Sequence, residues 1–322
     1  MSNIDVTVII PYYNENETIL TTIDLISKQT FLPKEVIFVN SNSVDGTSET
    51  IDKWINNNNK LYASNFKNVE KGTTTPGSSK NIGIRMASTK WVAFMDCGLF
   101  FPLNWLEKQW RYKEKSNCDV VSGVCLLKGI NYIDIAAVTQ TYGFLRIRPC
   151  VPSSLVKKKL FQRTGLFLEN RRAGYDSDWL LSLKKLKINR KINSETIVKY
   201  NGVNFSDTFL KVFKKSVLYA IPTIGLKYYR IPYYYLACFL VFFLSFYFSL
   251  ILSIVLFSIY FIFRGFIIPV IKSRSVKQYF MHPIMIILIP FVGLIIDLGK
   301  IIGFFIGIKN NIPTYFRKNT NE

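Results

Sequence analysis

The feature that most constrains this chain is a run of 32 residues, Pro232 to Phe263, without a single charged side chain. Segments of 18 or more apolar residues are typical of membrane-spanning helices. As one straight helix the run would be about 48 Å long, whereas the hydrocarbon core of a bilayer is about 30 Å thick. We therefore predict a helical hairpin that turns near Ser249 to Ser253, where small polar side chains can satisfy a broken backbone.

A third apolar segment, Pro283 to Ile308, is interrupted only by Asp297 and Lys300. Four basic residues separate it from the first run, and positively charged loops stay on the cytosolic side of a membrane. The hairpin is therefore expected to return to the cytosol. The third segment is expected to be either a span or a re-entrant segment, and the basic residues after it favour the re-entrant form.

Charge and cysteine content narrow the class of protein. From Thr208 onward the chain has 13 Lys or Arg against two acids, out of totals of 41 and 21. Basic residues beside apolar runs indicate an anionic membrane surface, and no nucleic-acid-binding motif is present. The five cysteines form no C-x-x-C pair, which favours a reducing, cytosolic compartment.

The chain as a whole is expected to divide into four segments. Residues 1–200 are expected to form an α/β domain, 201–231 an amphipathic, interfacial helical linker, 232–308 the membrane region and 309–322 a basic tail. In the linker, Phe205 to Tyr219 places apolar side chains near one face and lysines elsewhere. This pattern fits an interfacial helix and a plain amphipathic surface helix equally well.

In the first domain, short apolar runs alternate with helical patterns. This alternation predicts right-handed crossovers and a parallel sheet. The predicted strands are Val6 to Ile10, Val36 to Val39, Trp91 to Met95 and Asp119 to Gly123.

Asp96 directly follows the third of these strands. In an open α/β sheet, ligands bind beyond the carboxyl ends of the strands, and a carboxylate there can hold a hard cation against a phosphate. An Asp that caps a turn is the alternative. Gly77 and two serines precede a helix that is expected to begin near Lys80, where N–H groups and the ammonium would suit a diphosphate.

Two further acidic patterns allow structural as well as functional interpretations. Asn14, followed three residues later by Glu17, resembles a helix cap. Asp176 and Asp178 stand at a predicted helix start, where the macrodipole favours carboxylates. For Asp178 the helix-stabilising interpretation and a functional one are equally supported.

Five motifs follow one another along the first domain: IIPYYNE, VNSNSVDGT, GSSKNIG, FMDCG followed by NWL, and AGYDSDWLLSL. In their order and approximate spacing they resemble those of family 2 glycosyltransferases of GT-A fold, with a nucleotide-sugar-binding, Rossmann-like, mostly parallel sheet. The resemblance covers roughly Asp5 to Leu186.

The resemblance implies an inverting transferase that uses a nucleotide-sugar donor. The residues that match its nucleotide-sugar-binding positions are Pro11, Tyr13, Glu15, Asn40, Lys80, Asn81 and Asp96. Asp96 would meet the metal-bridged diphosphate, with Mg²⁺ or Mn²⁺ as the cofactor, and Asp176 would be the general base.

Three positions depart from the family pattern. Where the family usually has Asp-x-Asp, this chain has Gly98 in place of the second Asp. Asn40 stands in place of the usual Asp at the end of the second strand, and Tyr175 stands in place of the usual Glu before the base. A branch of the family with Asp-x-Gly also carries a Pro-Ser-Ser segment like Pro152 to Ser154, and this chain is most similar to that branch.

These observations predict a multi-pass protein of the cell (inner) membrane with a cytoplasmic catalytic domain. Its expected partners are a nucleotide-sugar donor, a lipid-linked or glycan acceptor and membrane lipids, in cell-surface glycan biosynthesis. Two alternatives remain: a non-catalytic scaffold that binds nucleotide or glycan, and an electrostatic membrane adaptor without sugar chemistry.

Overall fold

The computed structural model describes residues 3–58, 64–70, 72, 75–169, 171–200, 207–223 and 231–318. The predicted linker is therefore described only in part, because 201–206 and 224–230 lie outside these ranges. Two compact units form. The sheet unit comprises Met1–Leu126 with Ile147–Val203, and the helical unit comprises Leu127–Arg146 with Asn204–Glu322.

The sheet unit contains one mixed sheet in the order β3-β2-β1-β4-β7-β5-β6, and β8 also pairs with β5. The pairs β1–β2, β2–β3 and β1–β4 are parallel, whereas β4–β7, β5–β7 and β5–β6 are antiparallel. The predicted α/β sheet is thus confirmed, with an antiparallel side that periodicity did not indicate. Its strands are β1 (Asn3–Tyr12), β2 (Leu32–Asn40), β3 (Asn65–Glu70), β4 (Trp91–Phe94), β5 (Val120–Leu127), β6 (Ile147–Pro149), β7 (Leu155–Lys157) and β8 (Arg190–Tyr200).

Helices connect the parallel strands and cover the sheet. A core of β-branched and aromatic side chains, among them Ile9, Phe94 and Trp179, is fully or almost fully buried. The third helix lies so close to β1 that a Cβ built on Gly83 would fall 2.3 Å from Ile9 Cγ2. The helices of this unit are α1 (Ile19–Ser27), α2 (Thr47–Asn58), α3 (Pro76–Met86), α4 (Trp105–Ser116), α6 (Phe161–Thr164) and α7 (Tyr175–Lys185).

The helical unit includes an insertion between β5 and β6 that nothing in the sequence pattern indicated. This insertion carries α5, whose residues Ala136 and Ala137 share a buried apolar cluster with Met285 and Ile289. The helices are α5 (Tyr132–Thr141), α8 (Phe209–Ala220), α9 (Ile231–Phe248), α10 (Leu250–Ile262), α11 (Ile268–Ser273), α12 (Lys277–Phe280) and α13 (Met285–Lys318), with a π-helical turn over Phe263–Ile267.

Helices α9 and α10 form an antiparallel hairpin. The break falls at Ser249, within the segment at which the sequence predicts a turn, and its Oγ accepts a hydrogen bond from the Leu252 N–H. The Ser245 and Ser253 hydroxyls are 2.9 Å apart, and the rings of Phe242 and Phe257 lie at 5.9 Å. Two small polar side chains therefore pair across the interruption at Ser249.

Two helical stretches among the described residues are long and apolar enough to cross a membrane: Leu250–Ser273 and Met285–Lys309. They differ in how much protein covers them, since 17% of the first window is buried against 50% of the second. The two stretches therefore match in length and hydropathy but differ in burial, and their environments are not settled by length and composition.

Candidate functional site

The candidate site lies at the edge of the sheet unit where the parallel strands end. Asn40 pairs with Tyr12 on one side and with Glu70 on the other, so β1, β2 and β3 end at the same level. Asp96 follows β4, which lies beside β1. Because ligands of open α/β sheets bind beyond this edge, these strand ends bring the predicted residues together.

The loop after β1 is held by the loop after β2. Asn14 adopts a φ of 53°, and its Oδ1 accepts from the Val44 N–H at 3.0 Å. The helix-cap interpretation of Asn14 with Glu17 is wrong, because α1 begins only at Ile19, after Thr18. Three further backbone N–H groups bond across the loops: Asn14 to Ser43 Oγ at 3.0 Å, Glu15 to Thr47 Oγ1 at 2.9 Å and Asn16 to Asp45 Oδ2 at 3.0 Å.

Two neighbouring tyrosines have different surroundings at this edge. Tyr12 is 3% exposed, and its hydroxyl donates to Asn68 Oδ1 at 2.8 Å. Tyr13 is 55% exposed. The ring of Tyr13 is thus accessible, while Tyr12 fixes the strand end. The binding of a nucleotide sugar by Tyr13 stays a prediction.

Asn40 is buried and its amide is engaged. The Nδ2 group donates to both carboxylate oxygens of Glu70, at 2.7 and 2.9 Å, and Oδ1 accepts from the Ser43 N–H at 2.8 Å. An Asp at this position would face the Glu70 carboxylate without a proton to share. At this part of the edge the carboxylate therefore stands on β3, at Glu70, and the amide stands on β2. Glu70 lies outside the family motifs and was not predicted from the sequence.

Lys80 and Asp96 form a buried ion pair. The ammonium lies 2.7 Å from Asp96 Oδ1, and the side chains are 1% and 29% exposed. Burial lowers the pKa of Lys80, but the Asp96 carboxylate and Tyr175 outweigh it, so that the pKa is raised above its usual value. Lys80 therefore keeps its charge at neutral pH. The helix that carries it begins at Pro76, four residues earlier than predicted, with Thr75 as its N-cap.

Tyr175 contacts Lys80 and directly precedes Asp176 in the chain. The Lys80 ammonium is 5.6 Å from its ring centroid, and burial raises the pKa of its hydroxyl to about 12, with the carboxylates of Asp96 and Asp176 adding to the shift. A Cβ on Gly77 would fall 3.3 Å from Tyr175 Cβ, so α3 and α7 begin side by side. Tyr175 therefore stays protonated where the family usually has a Glu.

Asp176 stands in the first turn of α7 and is half-buried. Its Oδ1 accepts a hydrogen bond from the Ser177 N–H at 2.8 Å. Asp178, in the same turn, is half-buried as well, and its own N–H donates to the Gly174 carbonyl at 2.9 Å. Both carboxylates thus receive the favourable helix N-terminal field, and the charge of Asp176 helps to raise the pKa of Tyr175.

Asn81 is fully buried and supports the loop before α7. Its Nδ2 donates to the Phe167 carbonyl at 2.8 Å and to Glu169 Oε1 at 2.9 Å, and its Oδ1 accepts from the Phe167 N–H. The assignment of Asn81 to donor binding stays a prediction. The geometry gives this side chain a positioning role.

Glu15 lies beside the position at which the family has its second Asp. Gly98 adopts a φ of 72°, and a Cβ on it would fall 3.6 Å from Glu15 Oε2. Burial raises the pKa of Glu15, Thr18 opposes this with a hydrogen bond of 2.5 Å, and the carboxylates of Asp45 and Asp96 raise it further. Glu15 thus places a carboxylate close to Asp96 from a different loop.

The residues present fit a divalent cation that is shared with a diphosphate. Among the described residues, no group of three or more His, Cys, Asp or Glu could hold a metal by itself. Mg²⁺ is usually bound by one or two carboxylates together with substrate phosphates, and so does not need such a group. Asp96 and Glu15 would supply those carboxylates.

Tyr200 is a further residue that the sequence analysis missed. The Phe100 N–H donates to the Lys199 carbonyl at 2.9 Å and the Lys199 N–H returns a bond at 3.0 Å, so the end of β8 pairs with the segment after Asp96. Burial raises the pKa of Tyr200, and the nearby Asp96 carboxylate raises it further. Tyr200 therefore borders the site as a neutral hydroxyl.

Comparison with known proteins agrees with this geometry. The family described as "Glycosyl transferase family 2" matches residues 7–180, more than half of the chain. An uncharacterised glycosyltransferase of Rickettsia bellii is 34% identical over 112 residues, which cover 35% of this chain and 15% of that protein. Glycosyltransferase GlyG of Streptococcus pneumoniae is 26% identical over 118 residues, which cover 37% and 38%.

One solved structure shares the fold over most of the chain. It is a mannosyltransferase from Pyrobaculum calidifontis in complex with GDP-mannose and Mn²⁺, with a TM-score of 0.57 and 15% identity over 92% of this chain and 86% of that one. The predicted GT-A fold is thereby confirmed. The matched segment spans well under half the length of the two curated relatives, so their whole activities do not transfer to this chain.

Proposed function

Because the chain belongs to glycosyl transferase family 2 and is a glycosyltransferase, we propose that it moves a sugar from a nucleotide-sugar donor to a hydroxyl or phosphate acceptor with inversion. The observation that carries the proposal is the meeting of the Lys80–Asp96 pair and Asp176 around Tyr175. Lys80 and Asp96 offer groups for a leaving diphosphate, and Asp176, next to Tyr175 in the chain, offers a carboxylate for an acceptor.

The donor half uses the strand ends. Tyr13 and the Asn40–Glu70 pair bind the nucleoside, and Lys80 faces the diphosphate with a charge that it keeps at neutral pH. A divalent cation, when bound, supplies further neutralisation of the charge that develops on the leaving diphosphate. Asp96 and Glu15 would hold it. Groups fixed in place before the reaction stabilise that charge without reorganisation.

The acceptor half uses Asp176 as the general base. Lys80 remains charged and Tyr175 remains protonated, so neither can take a proton at neutral pH. Asp176 is a half-exposed carboxylate at the same place, and it removes the proton of the acceptor hydroxyl during attack. A single displacement of this kind inverts the anomeric carbon.

The acceptor is proposed to be lipid-linked and the enzyme to act on the cytoplasmic face of the cell membrane. The support is the covalent connection between the transferase domain and an uncharged 32-residue run, most of whose described side chains are exposed. An enzyme tethered in this way meets lipid-linked glycans or polyprenyl phosphates at high local concentration.

Replacement of Asp176 by Asn tests the assignment, with Asp178→Asn as the matched control from the same helical turn. Asp176→Asn is expected to lower transfer by about a hundredfold to ten-thousandfold while donor binding is kept, because the base contacts the acceptor only. Turnover and binding of a panel of UDP- and GDP-sugars by the detergent-solubilised protein measure both quantities. Equal losses in the two variants, or loss of donor binding in Asp176→Asn, would contradict the role.

A further inference from the structure

Between Met285 and Lys309, helix α13 exposes an apolar stripe, while most of its other side chains are buried or half-buried. The stripe positions recur at spacings of three, four and seven residues, which is the period of one helix face. They are Ile287, Phe291, Leu298, Ile302 and Phe305, between 43% and 72% exposed. A bilayer-crossing helix and a helix that lies in the membrane plane can both show such a stripe. What packs beside the stripe decides between them.

Helix α8 packs against α13 on the side next to the stripe and runs parallel to it. The rings of Phe209 and Phe291 lie 5.2 Å apart near the start of the contact. Farther along, a Cβ on Gly299 would fall 2.7 Å from Ser216 Cβ, and one on Gly303 would fall 2.7 Å from Ala220 Cβ. The contact is therefore centred near residue 297, which is the midpoint of the apolar stretch Met285–Lys309.

Three lysines of α8 are incompatible with this midpoint lying in the bilayer centre. Lys211 and Lys214 are exposed and Lys215 is half-buried; Lys211 lies in the first turn of α8, and Lys214 and Lys215 lie in its middle. If α13 crossed the membrane, these ammonium groups would lie close to the centre of a hydrocarbon core about 30 Å thick. Charged side chains are strongly disfavoured there, and only those near helix ends reach the interface.

The hairpin has the opposite character. No charged residue lies in it before Arg264, and its side chains are exposed around the tip: Tyr247 by 88%, Phe248 by 74% and Ile251 by 75%. From Ser249 to Arg264 the helical rise amounts to about 22 Å, which is less than the hydrocarbon thickness of about 30 Å. A hairpin whose Arg264 stays at headgroup level thus enters the bilayer without reaching its other side.

We propose that this protein is monotopic, with the α9–α10 hairpin inserted from one side and α8 and α13 lying in the plane of the same interface. The inference rests on the proposed membrane attachment. The α13 stripe contacts acyl chains, and Lys211, Lys214 and Lys215 bind the phosphates of anionic phospholipid beside it. Neither of the two long apolar helices then crosses the bilayer.

Depth measurements test the proposal. In the full chain with Cys238 replaced by serine, single nitroxide-labelled cysteines replace Ile287, Phe291, Leu298, Ile302 and Phe305. Collision with oxygen and with a water-soluble nickel complex reports depth in phosphatidylcholine vesicles with and without phosphatidylglycerol. The five sites are expected at one shallow depth, while labels at Leu240, Phe243 and Tyr247 become steadily deeper. A depth maximum at Leu298, with Ile287 and Phe305 both near a surface, would overturn the proposal.

Variants of the three α8 lysines test the phospholipid contact independently of the depth profile. Replacing Lys211, Lys214 and Lys215 by Gln is expected to remove the effect of phosphatidylglycerol on the stripe depth. The matched control replaces the exposed lysines Lys34, Lys53 and Lys115 of the sheet unit and is expected to keep that effect. An unchanged effect in the first variant would contradict the binding role.

Cysteines at Ser275 and Lys309 are both expected to react with a membrane-impermeant reagent from the side of the catalytic domain. Labelling of the two from opposite sides would show that α13 crosses the bilayer. If every label reports only water, the membrane attachment fails together with this inference. Donor turnover of the same samples separately reports whether glycosyl transfer fails.

Discussion

In each unit of this protein a buried cation pairs with a carboxylate, and these two pairs have different surroundings. In the sheet unit, Lys80 is 1% exposed but its partner Asp96 is 29% exposed, with one measured oxygen contact at 2.7 Å. In the helical unit, Arg264 and Asp297 are 4% and 5% exposed, and they share contacts of 2.6 and 3.0 Å. The first pair is open on the carboxylate side, and the second is closed.

Additional hydrogen bonds complete the closed pair. Tyr260 Oη donates to Asp297 Oδ2 at 2.8 Å, and Arg264 Nη1 donates to Gln140 Oε1. The Gln140 amide also donates to the Ile289 carbonyl at 2.7 Å, which ties α5 to α13. Burial of two charges is tolerated only when such bonds satisfy them. The comparison indicates that a closed pair serves stability, whereas an open pair is available for a ligand.

The largest expected effect comes from breaking the closed pair. Asp297→Asn leaves the Arg264 charge buried without compensation, which typically costs about 3–5 kcal/mol of stability. Thermal unfolding in detergent micelles measures it. Asp24→Asn is the control, because the Asp24–Lys28 pair is 54–60% exposed and such pairs contribute about 0–1 kcal/mol. Equal melting temperatures for the two variants would contradict the role of the closed pair.

Breaking the open pair is expected to affect turnover more than stability. Asp96→Asn removes a charge that stabilises the leaving diphosphate, and loss of one preorganised contact of this kind typically costs about a hundredfold to a thousandfold in rate. Its melting temperature is expected to fall less than that of Asp297→Asn, because a buried Lys80, unlike Arg264, can lose its proton when the partner charge is removed. The control is Asp119→Asn, from a pair with Lys157 that is 35% exposed on both sides. Full turnover in Asp96→Asn would show that the pair is structural.

A third prediction concerns pH and Glu15, the carboxylate nearest to the open pair. Because the pKa of Glu15 is raised in the folded protein, its ionisation disfavours folding. Stability from this group is greatest below the unfolded pKa and falls as the pH rises through the folded pKa. A cation held by Glu15 and Asp96 reverses this preference, so added Mn²⁺ is expected to move the acidic limb of the transfer rate to lower pH.

Glu15→Gln is expected to abolish that shift and to lower the affinity for Mn²⁺ by roughly tenfold. This is the lower end of the loss in metal affinity seen when a group that supports a metal site is removed. The measurement is the pH profile of transfer at several Mn²⁺ concentrations. Glu17→Gln, an exposed neighbour, serves as the control. If Mn²⁺ shifts the acidic limb as strongly in Glu15→Gln as in the unmodified protein, Glu15 takes no part in holding the cation.

The sequence predicted the parallel part of the sheet because its strands are buried apolar runs, such as Val6 to Ile10, that end at polar residues. It did not predict the insertion that carries α5. Gln140 bonds to the carbonyl oxygens of residues 264 and 289, and contacts across 124 and 149 positions leave no local pattern. Asn14 resembles a cap locally, but its partner Val44 lies on another loop. The roles assigned to Asp176 and Asn81 remain predictions that only the variants can test.

The smallest expected effect tests whether Glu70 has replaced the acidic residue that the family has at Asn40. Asn40→Asp exchanges an amide that donates at 2.7 and 2.9 Å for a carboxylate facing Glu70. Two like charges 4 Å apart repel by about 1 kcal/mol in water, and the lost hydrogen bond contributes about as much. We expect a loss of about 1–2 kcal/mol at neutral pH, which shrinks as either carboxylate becomes protonated.

Chemical unfolding of Asn40→Asp, Glu70→Gln and the double variant gives the coupling between the two sites. Because an Asp at position 40 can accept from a Gln at 70, the double variant should be more stable than the two single losses predict. Additive losses, or an Asn40→Asp variant as stable as the unmodified protein, would show that the two strand ends are independent.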